Sequence, residues 1–241
     1  MNLHTPRNII ERSEFREHSR VFCDRAHAGK ILADMLDPHR QQDAMVLAIP
    51  AGGVPVAAVI AETLHLPLEV AVVSKITLPW NTEAGYGAVA SDGTMRLNED
   101  LLSHLGLTER EIQQGMDQTY QKVLKRVKRF RGDQLFPDLL KRPAILVDDG
   151  LASGFTLLAA IETLRKFGAK RIIVAVPTGQ WSALQRMTQE AETVYCANVR
   201  SGWSFVVADA YEQWSDVDEE EAVRNIQTLI CQQWCSRSQG N

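Results

Sequence analysis

The segment Ala144-Ile145-Leu146-Val147-Asp148-Asp149-Gly150-Leu151-Ala152-Ser153-Gly154-Phe155-Thr156 constrains the fold more than any other. Four apolar residues without polar alternation suit a strand covered on both faces of a parallel sheet. Two carboxylates end the run, a loop of small residues follows, and the apolar periodicity over 156–167 is helical. The same order of signals recurs along the chain. Residues 44–49 form a short apolar run before the turn Pro50-Ala51-Gly52-Gly53, and 54–64 read as a helix with Pro55 in its first turn. Residues 69–74, 171–176 and 193–197 are further apolar strands. Helices are expected over 22–36, stopped by Pro38, over 181–190, and after Asp218-Glu219-Glu220-Glu221, where acidic residues complement the helix dipole. The pattern predicts a doubly wound α/β fold around a five-stranded parallel sheet.

The middle of the chain departs from this alternation. Gly85, Gly87 and Gly93 punctuate short β-prone stretches, and Ser91-Asp92-Gly93-Thr94 reads as a hairpin turn. A long amphipathic helix over 108–131 buries Ile112, Met116, Tyr120, Val123, Val127 and Phe130, with Thr108 and Glu111 as a capping box. Residues 78–140 are therefore expected to be an insertion of a hairpin and a long helix. The first twenty residues show no pattern that would require regular structure.

With 241 residues the chain is long enough to bury a core without disulfides or a structural metal. Cys23, Cys196, Cys231 and Cys235 make no CxxC pair, which points to a reducing, cytoplasmic setting. The charged N-terminus does not resemble a signal peptide, and Pro50, Gly52, Gly53 and Pro55 interrupt the uncharged stretch 44–61, so no membrane span is expected. A net charge of −4 argues against a general nucleic-acid coat.

The loop after Val147 carries the chemistry. Unpaired backbone N–H groups at a helix N-terminus bind phosphate, Gly154 allows close approach, and the hydroxyls of Ser153 and Thr156 add donors. Asp148 and Asp149 would repel that phosphate on contact. One sugar's width away they could accept hydrogen bonds from vicinal hydroxyls or hold hydrated Mg²⁺. A sugar phosphate is the ligand this chemistry suggests. Plainer roles exist: Asp149-Gly150 as a turn and Ser153 as a helix cap. The loop is neither a Walker A motif nor a dinucleotide fingerprint.

ILVDDGLASGFT resembles the phosphoribosyl-pyrophosphate (PRPP) motif of the type I phosphoribosyltransferases, and the chain is most similar to bacterial and archaeal members of unassigned substrate. The resemblance runs over about 20–222 and includes Phe22-x-Asp24-Arg25, IPAGGVPVA at 49–57, Gly85-x-Gly87-Ala88-Val89 and Tyr211-Glu212, leaving 223–241 as a C-terminal helix and tail. It implies that Asp148 and Asp149 hold the ribose hydroxyls and act in catalysis, with Asp148 also toward Mg²⁺. It implies further that Ala152, Ser153, Gly154, Phe155 and Thr156 hold the 5′-phosphate, and that Ala51, Gly52, Gly53 and Lys75 serve the pyrophosphate. The implied reaction moves 5-phosphoribosyl from Mg·PRPP to a nitrogen acceptor, such as a nucleobase, and releases pyrophosphate. A homodimer is the family expectation. A non-catalytic PRPP sensor or regulator is the alternative, and an unrelated sugar-phosphate binder a third.

Several positions depart from the family pattern. Ala51 stands where relatives commonly carry Arg or Lys, Ser153 replaces a threonine, and Ser74-Lys75 keeps half of a frequent Arg-Lys pair. Ala152 offers no proton relay where 6-oxopurine enzymes place an acid, so the acceptor stays open. The basic run Lys122, Lys125, Arg126, Lys128, Arg129 and Arg131 reads as a solvated helix face or, alternatively, as a contact for RNA or a nucleotide. Trp203, Phe205, Tyr211 and Trp214 fall where relatives build a hood over the acceptor, with ordinary packing as the simpler expectation. His4, His18, His27, His39, His65 and His104 show no metal-ligand spacing, and Cys231 and Cys235 share a helical face suited to packing.

Overall fold

A computed structural model describes residues 6–140, 142–202 and 204–238 of the chain, with side chains at 82, 83 and from 230 onward left undescribed. His4, Trp203 and the thiols of Cys231 and Cys235 lie outside what it describes. The strands are β1 (Ile9–Ile10), β2 (Met45–Ala48), β3 (Leu68–Val70), β4 (Val73–Leu78), β5 (Asn81–Ala90), β6 (Met95–Leu97), β7 (Ala144–Val147), β8 (Ile172–Gln180) and β9 (Thr193–Arg200). The helices are α1 (Arg25–Met35), α2 (Gly53–Leu64), α3 (Glu99–Leu105), α4 (Glu109–Arg131), α5 (Phe155–Lys166), α6 (Trp181–Glu190) and α7 (Glu219–Ser238).

A parallel sheet in the order β1-β9-β8-β7-β2-β3 forms the core. Its strands lack polar alternation because both faces are covered. Along β2, Val46 and Ala48 join one apolar cluster with α1 and α2, while Met45 and Leu47 join another with α5 and α6. The five expected strands are β2, β3, β7, β8 and β9. β1 adds a sixth, which corrects the expectation of an unstructured start: two residues paired with Val194 and Tyr195 at the sheet edge. α1 also begins later than expected. Phe22 is buried outside the helix, 5.5 Å from the Tyr211 ring, and Asp24 caps the helix by accepting from His27 N at 2.7 Å.

The strand expected over 69–74 is two strands in different sheets. β3 ends at Val70, and Val73 already starts the antiparallel sheet β4-β5-β6. The turn at Ser91-Asp92-Gly93-Thr94 joins β5 to β6, with Gly93 at φ +85°. α4 spans the expected long helix, and both hydrogen bonds of its Thr108–Glu111 capping box are present. Its basic face is corrected in part. Arg126 is buried, donating to Val73 O and Ser74 Oγ at 3.1 Å each and to Glu219 at 3.0 Å. Arg131 donates to Val70 O at 2.9 Å. These two side chains donate to backbone carbonyls at the crossing between the sheets, a use that neither solvation nor ligand contact describes. Among the described residues, no helix is long and apolar enough to cross a membrane.

Candidate functional site

The order of the parallel sheet reverses between β2 and β7. β2 leads through α2 to β3 on one side, whereas β7 leads through α5 to β8 on the other. At such a switch point the loops leaving adjacent strands diverge and open a crevice at the carboxyl ends. The loops over 49–53 and 148–156 flank it, joined at the base by Ile49 N donating to Val147 O at 2.8 Å.

Asp148 and Asp149 stand half-buried at the end of β7. The Asp149 amide donates to Asp148 Oδ1 at 2.9 Å. Burial and the neighbouring Asp149 charge push the Asp148 carboxyl well above the ordinary range. Asp149 is raised as well, chiefly by burial, against the opposing pull of Arg25. Two carboxylates this close strain to ionise together, so the pair is primed to receive a cation or hydroxyl donors.

The rest of the loop is held firmly. Leu151 N donates to Thr178 O at 2.9 Å and Gln180 N to Leu151 O at 2.8 Å, which ties it to the extension of β8. Gly154 takes φ +85° as the residue before α5, a conformation a side chain would oppose. The first-turn amides of α5 then face the loop without intrahelical acceptors. Arg186, from α6, donates to Ser153 O at 2.7 Å.

A cavity of about 470 Å³ brings together Asp148, Asp149, Ala152, Ser153, Gly154, Phe155, Thr156 and Lys75. Lys75 comes from β4, and its methylenes lie where a Cβ at Gly85 would fall. The expected residues Ala51, Gly52 and Gly53 do not line this cavity, although Gly52 and Gly53 approach the pair through the other loop and Ala51 packs against the apolar core. A Cβ at Gly52 would collide with the Asp149 carboxylate, and one at Gly53 would sit 2.7 Å from Val147 O. The Pro50–Ala51 peptide bond is cis.

The roles of three contributors escaped the reading of the sequence. Arg25 donates from Nε to Asp149 Oδ2 at 2.9 Å, and its Nη2 lies 2.9 Å from the same oxygen. Tyr211 donates its hydroxyl to Asp149 O at 2.6 Å, while Trp214 covers Arg25 with its ring centroid 3.9 Å from Cζ. Tyr211 and Trp214 thus support the site from behind, and Phe205 is half-buried. The signal for Arg25 was present in outline: a cation at the first position of a helix opposes the dipole and needs an acidic partner elsewhere.

The Phosphoribosyl transferase domain family model matches residues 25–213. A protein of Mycobacterium tuberculosis, provisionally named a phosphoribosyl transferase in two strains, is 34% identical over 210 residues, covering 85% of this chain and 46% of its own length. The chain thus spans about half the length of these curated relatives. The crystal structure of TT1426 from Thermus thermophilus superposes with a TM-score of 0.69 at 30% identity, covering 86% of this chain and 98% of that one.

Proposed function

Since the chain belongs to the Phosphoribosyl transferase domain family, we propose that it transfers a 5-phosphoribosyl group from Mg·PRPP to a nitrogen acceptor and releases pyrophosphate. One observation carries this reading: a single cavity joins a carboxylate pair, a small-residue loop at a helix N-terminus, and a lysine. The α5 amides with Ser153 and Thr156 bind the 5′-phosphate, and Asp148 and Asp149 accept hydrogen bonds from the ribose hydroxyls. Lys75 and the loop at 51–53 take the pyrophosphate, the lysine by charge and the glycines by close approach.

The donor set fits Mg²⁺ in a particular way. Among the described residues, no cluster of three or more His, Cys, Asp or Glu could hold a metal. Mg²⁺ is commonly bound by one or two carboxylates together with substrate phosphates, and Asp148 is the carboxylate for it here. When bound, the ion neutralises charge on the leaving pyrophosphate. The raised carboxyls make ligand binding pH-dependent: ionisation must precede it, so affinity rises as pH rises through their titration range.

Ala51 favours the second reading, a PRPP-binding regulator, because the loop that faces the pyrophosphate has no charged side chain from 49 to 54. Titration calorimetry with PRPP and Mg²⁺, with ribose 5-phosphate as competitor, tests the binding shared by both. We expect Asp148→Asn/Asp149→Asn to lose at least about a hundredfold in affinity. Undiminished binding by that variant, or equal preference for ribose 5-phosphate, overturns the assignment. Pyrophosphate release with nucleobase acceptors then separates enzyme from regulator.

A further inference from the structure

Arg25 occupies a place that the stability of its own helix does not favour. It is the first residue of α1, at the positive end of the dipole, and is only 9% exposed. A buried cation needs a charged partner and further acceptors. Arg25 has both: Nε and Nη2 converge on Asp149 Oδ2 at 2.9 Å, and Nη1 donates to Ser215 O at 2.8 Å. Trp214 stacks on its guanidinium. The segment is fastened in turn, with Tyr211 bonded to Asp149 O, Glu212 N to Phe22 O and Gln213 N to Cys23 O. The ring of contacts closes on Asp149 from two distant parts of the chain, Arg25 on its carboxylate and Tyr211 on its backbone carbonyl.

We infer that Arg25 is a positioning residue for Asp149, aiming that carboxylate into the cavity, and that the segment 211–215 is the clamp that fixes Arg25. This rests on the proposed role of Asp149 as a ligand-binding carboxylate. Arg25 does not itself reach the substrate; it acts through Asp149. The consequence is a division of labour within the pair. Asp149 is the member held by a fixed cation, while Asp148 has its neighbour's charge beside it and takes the mobile one. The grip on Oδ2 also brings a cation to the oxygen that closes on Gly52, in a loop with no charge of its own.

The groups that face Asp149 are Arg25 from α1, Asp148 from its own loop and the Tyr211 hydroxyl from the clamp, with Lys75 across the cavity. Asp24, Glu212, Asp216 and Glu221 line a second cavity together with Arg25. Removing Arg25 therefore leaves Asp149 Oδ2 without its fixed cation and the carboxylate free to turn.

The test uses Arg25→Met, Arg25→Lys and Trp214→Ala in the full chain, with two readouts. Crystal structures of the empty variants are expected to show the Asp149 carboxylate turned from its wild-type direction in Arg25→Met and returned toward it in Arg25→Lys. Calorimetry with Mg·PRPP is expected to show affinity weakened on the order of tenfold to a hundredfold in Arg25→Met and largely restored in Arg25→Lys. Trp214→Ala, which keeps the charge and loosens the clamp, is expected to weaken binding about threefold. If Arg25→Met does not fold, Arg25→Lys and Trp214→Ala carry the measurement. An Asp149 carboxylate that none of the variants moves overturns the inference whether or not PRPP binds. So does weakened binding with the Asp149 carboxylate unmoved. A wild-type protein that ignores PRPP while its Asp149 carboxylate turns on loss of Arg25 instead fails the proposed function alone.

Discussion

The two loops at the switch point face the same crevice and are built on opposite principles. The loop at 148–156 supplies groups: two carboxylates, two hydroxyls and the first amides of α5. The loop at 50–53 supplies room. Its residues after Pro50 are an alanine and two glycines, and the carboxylate of Asp149 and the backbone of β7 fill the space where side chains would be. The comparison teaches that a site can depend as strictly on missing atoms as on present ones. A glycine here is a positional requirement on its neighbour, Asp149.

Four substitutions break or sharpen that contrast. The largest effect is expected from Gly52→Ala, whose methyl must displace the Asp149 carboxylate. Affinity for Mg·PRPP should fall about thirtyfold or more, measured by calorimetry, with the far-ultraviolet circular dichroism retained. Normal binding would show that the second loop contributes no shape. Asp148→Asn comes next, on the empty protein. Folding raises the pKa of this carboxyl, so its stabilising contribution is present below the unfolded-state value and is lost as pH rises through the folded one. At neutral pH the pair thus costs stability. Its removal should raise Tm, by about 2–4 °C for each kcal/mol recovered, and flatten the pH dependence of Tm. Ala51→Lys adds a charge to the loop that lacks one and is expected to tighten pyrophosphate binding about threefold to tenfold. Thr108→Ala removes half of the α4 capping box and should cost about 1 kcal/mol in denaturant unfolding while leaving ligand affinity unchanged.

The parallel core was legible because its strands are buried on both faces, which writes a short apolar run with no alternation. α4 was legible for the complementary reason, a 3.6-residue period with a recognisable start. The chemical loop was readable as a motif since its parts are consecutive. What escaped depends on partners remote in sequence. β1 is two residues that become a strand only through pairing with β9. The change of sheet between Val70 and Val73 leaves no break in the apolar run that crosses it. Arg25 and Asp149 are separated by 124 positions, and no local pattern joins them. Arg126 and Arg131 lie within a basic run that suggests a wet surface, while the carbonyls they bind belong to β3 and β4.

That grip on the sheet crossing bears on how the molecule comes apart. Arg131 holds Val70 O and Arg126 holds Val73 O, so the two residues between them, Ala71 and Val72, are fixed at both ends and buried. A hinge needs a stretch of backbone free to turn, and this crossing has none. Arg126 also reaches Glu219 at the start of α7, which binds the inserted helix to the far end of the chain. The antiparallel sheet and the parallel core are therefore expected to melt together, as one cooperative transition in calorimetry.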